Sequence, residues 1–376
     1  MKKKSKINKL LLILIIVFSI FGLIMILSAS SMESYMRYNK SPYTYFIRHM
    51  IFVIIGLICY FIIHLIPTKF FKKISGFLMF IITIAMVGLI IYGKSTREAV
   101  SWFKIGPINI QPSEFAKVFV IMYLANYYEK NKNNLTSQWV VIKPLLFVFI
   151  LCVLVALQPD LGTASIIGIL SLIIFYIVPI PKGTRKTFNK IFLGAVAIVL
   201  VLFISTKGTI IRDYQLKRLY SFIYNPCERY QEEEGYQLCN SYIAFHNGGL
   251  TGSGIGESTQ KYLYLPDSYT DFIFPIIIEE WGMITGIIII IGYGIMLYSI
   301  FKIARDSKNI GNSILAFGVF AYIFLHISIN LIGVMGLGPL TGVPLPFLSY
   351  GGSYTLSLFI ALGLVQRVSI ENNKNR

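Results

Sequence analysis

Ten apolar runs recur along the chain, over about residues 10–30, 49–66, 74–92, 115–128, 144–157, 161–178, 191–205, 272–300, 312–335 and 350–366. A helix crossing the hydrocarbon core of a bilayer needs about 20 mostly apolar residues. Backbone in lipid must satisfy its own hydrogen bonds, which leaves helices or closed barrels. The pattern therefore predicts an all-α polytopic membrane protein with ten transmembrane helices. Runs four and five are short. From Trp139 to Ile180 the chain has a helical rise of about 63 Å, and two crossings need about 60 Å. A hairpin turning at Gln158-Pro159-Asp160 fits that length. Charged residues make up 14% of the sequence, against about 25% in a soluble domain, which excludes a water-soluble enzyme. Four cysteines are too few for a disulfide framework. Cys227 and Cys239 fall in one loop, where they either pair locally in an oxidising space or stay free.

Lys and Arg set the orientation. With the N-terminus inside, segments 1–9, 67–73, 129–143, 179–190, 301–311 and 366–376 hold 21 of the 34 basic residues. Of the acids, only Glu129, Asp306 and Glu371 lie in those segments. This is the positive-inside pattern, with both termini cytoplasmic and a large extracytoplasmic loop, 206–272, between spans seven and eight. The apolar stretch Leu10–Leu27 is longer than a signal-peptide core, so the first run reads as an uncleaved span. The net charge of +17 is then mostly topogenic, which excludes nucleic acid as a partner. The chain reads as one membrane domain over residues 1–376.

Polar residues beside a bilayer core mark function by default. Four segments stand out, all assigned to the outer side. In Trp102–Lys117, Pro112 suits the first turn of a helix, Glu114 sits near its positive end, and Lys117 follows at i+3. Gln111 precedes the proline. Gln158-Pro159-Asp160 repeats the device at the start of run six, where Asp160 caps the helix or binds substrate. The loop 206–272 carries Lys217-Arg218, a glycine run at 248–256, Gln260-Lys261 and Thr270-Asp271. The glycines lack a following P-loop Lys-Ser/Thr and read as a turn permitting close backbone approach. Asp271, among aromatics at the start of span eight, is an N-cap or a partly desolvated base. Glu279 and Glu280 lie two turns deeper, and one of them is expected to pair with an interior Lys or Arg. The uncharged, proline-rich segment 338–353, which includes Ser349, cannot run as a regular helix and reads as a rigid rim beside the site. His49, His64, His246 and His326 lack ligand spacing and read as packed residues.

Five blocks resemble, in order, the SEDS family (shape, elongation, division and sporulation), the FtsW/RodA group of bacterial wall polymerases. They are IGPINIQPSEFAK, LQPDLGTA, NGGLTGSGIG with TQK and YLP, TDFIF with IIIEEWG, and TGVPLPFLSYGGS. The wording at Gln260-Lys261 and Tyr264-Leu265-Pro266 resembles the division branch more than the elongation branch. The resemblance implies polymerisation of lipid II on the outer membrane face beside a class B penicillin-binding protein. It makes Asp271 the essential acid, places Trp102, Glu114 and Lys117 at functionally important positions, and matches Lys217-Arg218 to the basic pair after span seven. Ser101, Tyr269 and Asp267 depart from the family pattern. The acidic stretch CERYQEEEGYQLC is unusual for the family in length and acidity.

The chemistry expected is sugar transfer with one base, because a lipid-linked pyrophosphate leaves without the acid that glycoside hydrolysis usually needs. Asp271 is the candidate base. Candidate substrate-binding residues are Trp102, Gln111, Glu114, Lys117, Asp160, Lys217, Arg218, Gln260, Lys261, Thr270 and Ser349. Lys217, Arg218 and Lys261 would neutralise pyrophosphate, with or without a divalent cation, Mg or Mn. The rival expectations are a lipid II flippase, which needs a polar path across the membrane, and a scaffold that recruits a synthase without chemistry of its own.

Overall fold

All ten apolar runs fall on helices. The structure, a computed structural model, describes residues 7–92, 101–106, 108–205, 225–228 and 233–374. Its helices are α1 (Lys9–Met36), α2 (Thr44–Ile63), α3 (Thr68–Tyr92), α4 (Pro112–Lys130), α5 (Gln138–Leu157), α6 (Leu161–Ile177), α7 (Lys182–Ser205), α8 (Glu233–Gly248), α9 (Ile273–Arg305), α10 (Ile310–Val334) and α11 (Gly352–Lys374). Seven of these, α1, α2, α3, α5, α9, α10 and α11, are long and apolar enough to cross a membrane. The fourth and fifth runs lie in helices of 19 and 20 residues, longer than their apolar cores. The α5–α6 hairpin turns at Gln158–Asp160.

Local chemistry fixes several boundaries. Asn8 Oδ1 accepts the Leu11 N–H at 3.1 Å and opens α1. Asn309 Oδ1 does the same for Asn312 at 2.9 Å and opens α10. Pro112 occupies the first turn of α4, where its missing N–H costs nothing. Before it, β1 (Phe103–Ile105) and β2 (Ile108–Ile110) form a small antiparallel hairpin, with Gly106 at φ +60° in the turn.

Helix α4 is buried on most sides and packs against α3, α6, α10 and α11. It is the centre of the bundle. Helices α1, α2, α3 and α5 keep rows of Ile, Phe and Val exposed, as helices facing lipid do. Polar contacts gather at the two ends of the bundle. At one end Lys72 pairs with Glu129 and bonds Asn312 at 2.9 Å, while Thr68 and Arg367 hold Glu371. At the other end lie the amino ends of α4, α6, α9 and α11, joined by the irregular segment 335–351.

Helix α9 is broken at Gly282, whose φ of 83° and ψ of 167° are not helical. The glycine run is spliced into this break. In a continuous helix the carbonyls of Glu279 and Glu280 would accept from Met283 and Ile284. Here they accept from Ser253 at 2.9 Å and Gly254 at 3.1 Å, and Met283 and Ile284 donate to Gly249 at 3.0 Å and Leu250 at 3.3 Å. A Cβ on Gly252 would sit 2.2 Å from the Glu280 carbonyl oxygen, and one on Gly282 would sit 2.3 Å from that of Leu250. The expected close backbone approach is thus the job of these glycines.

Candidate functional site

The site is assembled at the end of the bundle where the motifs converge. Asp271 lies two residues before α9, is half-buried, and is not the helix cap: that position belongs to Phe272, which makes no side-chain cap bond. The Thr270 hydroxyl donates to Asp271 Oδ1 at 2.7 Å, with the Asp267 carbonyl also within its reach at 3.0 Å. Asp271 Oδ2 faces Gly342, where a Cβ would approach it to 3.7 Å. Gly342 sits at φ +68°, a conformation that favours glycine. Asp271, Asn330, Gly333, Leu340, Thr341 and Gly342 are among the residues lining a shallow open hollow.

The rim segment is held from the opposite side by the two Gln-Pro-acid motifs. Gln111 Nε2 donates to Asp160 Oδ2 at 3.0 Å, and the Gln111 backbone N–H donates to Ser353 Oγ at 2.9 Å. Asp160 also caps α6, accepting the Thr163 N–H at 3.0 Å, so its capping role is met. A Cβ on Gly162, in the first turn of α6, would lie 3.0 Å from the Thr341 carbonyl oxygen. Ser349 Oγ accepts the Leu345 N–H at 2.8 Å inside the rim, a turn-forming contact. Gln158 reaches the Met86 carbonyl at 3.0 Å.

Beneath the rim, Glu114 and Lys117 are buried and paired at 2.8 Å. Lys117 Nζ also lies 3.0 Å from His326 Nε2 and faces the rings of Tyr322 and Tyr354 at 5.7 and 5.8 Å. His326 Nδ1 bonds the Pro344 carbonyl at 3.2 Å, which ties the ion pair to the rim. Trp102 is well exposed beside the β-hairpin.

Gln260 and Lys261 stand elsewhere. Lys261 is 4% exposed, and its ammonium is bound by Glu280 at 2.9 Å, Ser28 Oγ at 3.0 Å and the Gly256 carbonyl at 2.5 Å. An ammonium with these three partners inside the protein is committed to them rather than turned to a pyrophosphate. The expected pairing of Glu279 or Glu280 with an interior base is therefore Glu280 with Lys261. Glu279 holds the same loop, accepting from Asn247 at 2.9 Å, the Thr259 hydroxyl at 2.9 Å, the Gln260 N–H at 3.2 Å and the Ser258 hydroxyl. Lys217 and Arg218 lie outside the described residues. Among the described residues no three His, Cys, Asp or Glu side chains gather as a metal site.

Cys227, ahead of α8, is disulfide-bonded to Cys239 in the middle of that helix. That helix packs on α9, and its Ser241 hydroxyl donates to the Val334 carbonyl at 2.8 Å, beside the hollow. Near Asp271, Tyr269 packs on Tyr45 and Tyr350 with ring centroids 4.7 and 5.6 Å apart. Burial pushes the Tyr269 and Tyr350 phenols above their ordinary range.

A family profile described as cell cycle protein, FtsW/RodA/SpoVE, matches residues 8–374. The chain belongs to this family. It is 36% identical over 367 residues to a protein of Bacillus subtilis (strain 168) named probable peptidoglycan glycosyltransferase FtsW, covering 95% of this chain and 90% of that one. Its fold is similar to a chain from a peptidoglycan synthase complex that coordinates polymerization and crosslinking, with a TM-score of 0.77, 21% identity and coverage of 97% and 98%. It is also similar to the rod shape determining protein RodA of Thermus thermophilus, with a TM-score of 0.66, 21% identity and 96% coverage of both chains. This FtsW/RodA/SpoVE chain is a multi-pass membrane protein. Two of its site residues, His326 and Asn330, escaped the sequence reading as partners of the motifs. Their spacing of four along α10 places them on one face, but nothing in that spacing names what the face touches.

Proposed function

We propose that this chain is a peptidoglycan glycosyltransferase that polymerises lipid II outside the cytoplasmic membrane, with Asp271 as the general base. Ten crossings, both termini in the cytoplasm and the site end facing outward complete the reading, supported by the placement of Lys and Arg. One observation carries the chemistry: a half-buried carboxylate at the mouth of a hollow, steadied at one oxygen by Thr270 and facing a glycine at the other. It can accept a proton from a hydroxyl presented by a bulky substrate. The acceptor sugar's 4-hydroxyl gives its proton to Asp271, and its oxygen attacks the donor's anomeric carbon from the face opposite the pyrophosphate. The C–O bond to pyrophosphate breaks, its electron pair leaves with undecaprenyl pyrophosphate, and the configuration inverts. With Lys261 held by Glu280, the charge of the leaving group falls to Lys217 and Arg218. The names of the curated relatives support the activity and favour the division branch. The similar chain in a polymerising and crosslinking complex supports a class B penicillin-binding protein as partner.

The test is polymerisation of purified lipid II by the protein with its transpeptidase. Asp271→Ala should insert in the membrane normally and make no glycan. Wild-type glycan from that variant overturns the assignment. Lipid II flipping in vesicles without polymer from the wild type would overturn the reaction.

A further inference from the structure

Helix α10 presents Tyr322, His326 and Asn330 at intervals of four on one face, and the last of these reaches two segments at once. Asn330 is 4% exposed. Its Nδ2 donates to the Asp271 carbonyl at 2.8 Å and to the Val343 carbonyl at 2.8 Å. A carboxamide nitrogen has two hydrogens, and both are used. The orientation of the amide is thereby fixed, since turning it over would set its oxygen against two carbonyls. Oδ1 is buried without a partner, a cost that the two bonds from Nδ2 offset. The rim and the segment carrying Asp271 meet again where the Tyr350 N–H donates to the Tyr269 carbonyl at 2.8 Å. Residues 269–271 are thus fastened to 343 and 350, with Asn330 at the inner point.

We propose that Asn330 is a positioning residue for the transfer reaction: it fixes the main chain of Asp271 against the rim, and so sets the direction in which the carboxylate faces the acceptor hydroxyl. The inference rests on the reading of Asp271 as the base. The residue type follows from the job. Leucine has the right volume and no donor, aspartate would set an anion against two carbonyl oxygens, and the amide serves both acceptors from one uncharged nitrogen. A displacement of about 1 Å at a reacting group can cost 10²-fold in rate. Asn330 touches Asp271 through its backbone, so its loss should act on the chemical step more than on substrate binding.

The experiment measures kcat and KM for lipid II polymerisation, with the transpeptidase present, in Asn330→Leu, Asn330→His, Asp271→Glu and the pair Asn330→Leu with Asp271→Glu. Asn330→Leu should lower kcat about 10- to 100-fold with KM within about threefold. Asn330→His, which keeps one N–H donor, should fall between it and the wild type and serves where the leucine variant does not fold. Asp271→Glu already displaces the carboxylate, so adding Asn330→Leu should slow it less than about twofold more. A kcat within twofold of wild type in both single Asn330 variants overturns the proposal. So does a change confined to KM, or full multiplication of the two losses in the pair, which is what a structural role gives. Asp271→Ala separates the failures: if it is active, the reading of the base falls, and if it is inactive while the Asn330 variants are normal, only this inference falls.

Discussion

Lys261 can be removed with a sharply defined outcome. The sequence motif makes it a candidate clamp for pyrophosphate, whereas the structure buries it against Glu280. At their separation of 2.9 Å, the attraction is about 6 kcal/mol at an effective dielectric constant of about 20. Removing one partner of a buried pair strands the other charge, and costs about 3–5 kcal/mol in measured cases. Lys261→Met should therefore destabilise the protein by about 3–5 kcal/mol, because Glu280 keeps only the Ser28 hydroxyl at 2.6 Å and its second oxygen already lacks a partner. Glu280→Gln should cost a similar amount. The pair Lys261→Met with Glu280→Gln leaves no stranded charge, so it should be clearly more stable than the sum of the singles, by about 2–3 kcal/mol of coupling. The assay is the unfolding free energy of the four proteins in lipid bicelles, with polymerisation measured on the same preparations. A Lys261→Met protein of unchanged stability that makes no glycan would refute the reasoning and return Lys261 to the substrate.

Gly282→Ala should destabilise by about 1–3 kcal/mol from backbone strain alone, with the contact to Leu250 added, and should expose the 249–254 segment to proteolysis; a resistant, equally stable variant would contradict the spliced break. Replacing Cys227 and Cys239 together by serine should loosen α8 by up to about 3 kcal/mol, read as faster hydrogen exchange of its amides with the α10 interior unchanged. Gln111→Ala removes the bond to Asp160 but not the backbone bond to Ser353, so about 0.5–1.5 kcal/mol of stability should go while α6 keeps its Asp160 cap.

The helices were legible because the demand of the bilayer is one-dimensional: a run of apolar residues states its own structure. The motif positions were legible too, and Gln111, Asp160 and Asp271 do gather around one rim. What joins them was not. The partner of Glu280 was narrowed to an interior base, but Lys261 had been given to the substrate, since a motif lysine carries no mark of its burial. Helix α8 went unseen because its buried face is built of Leu238, Cys239, Asn240, Ser241 and Ala244, small and polar groups that give no apolar stripe. The β-hairpin was available in the alternation F-K-I around Gly106-Pro107, but that segment was read only for its polar residues beside the bilayer. The glycine run was read correctly as permitting close approach. Its counterpart is bare backbone, and main-chain carbonyls leave no signature in sequence.

That splice also constrains how the chain can diverge. Two segments some thirty positions apart share hydrogen bonds in fixed alignment, so an insertion or deletion within either segment would slide one set of donors past its acceptors and empty both. Length variation among descendants of this gene should therefore fall outside these two segments, while the spacing within 249–254 and within 279–284 is inherited unchanged even as side chains drift.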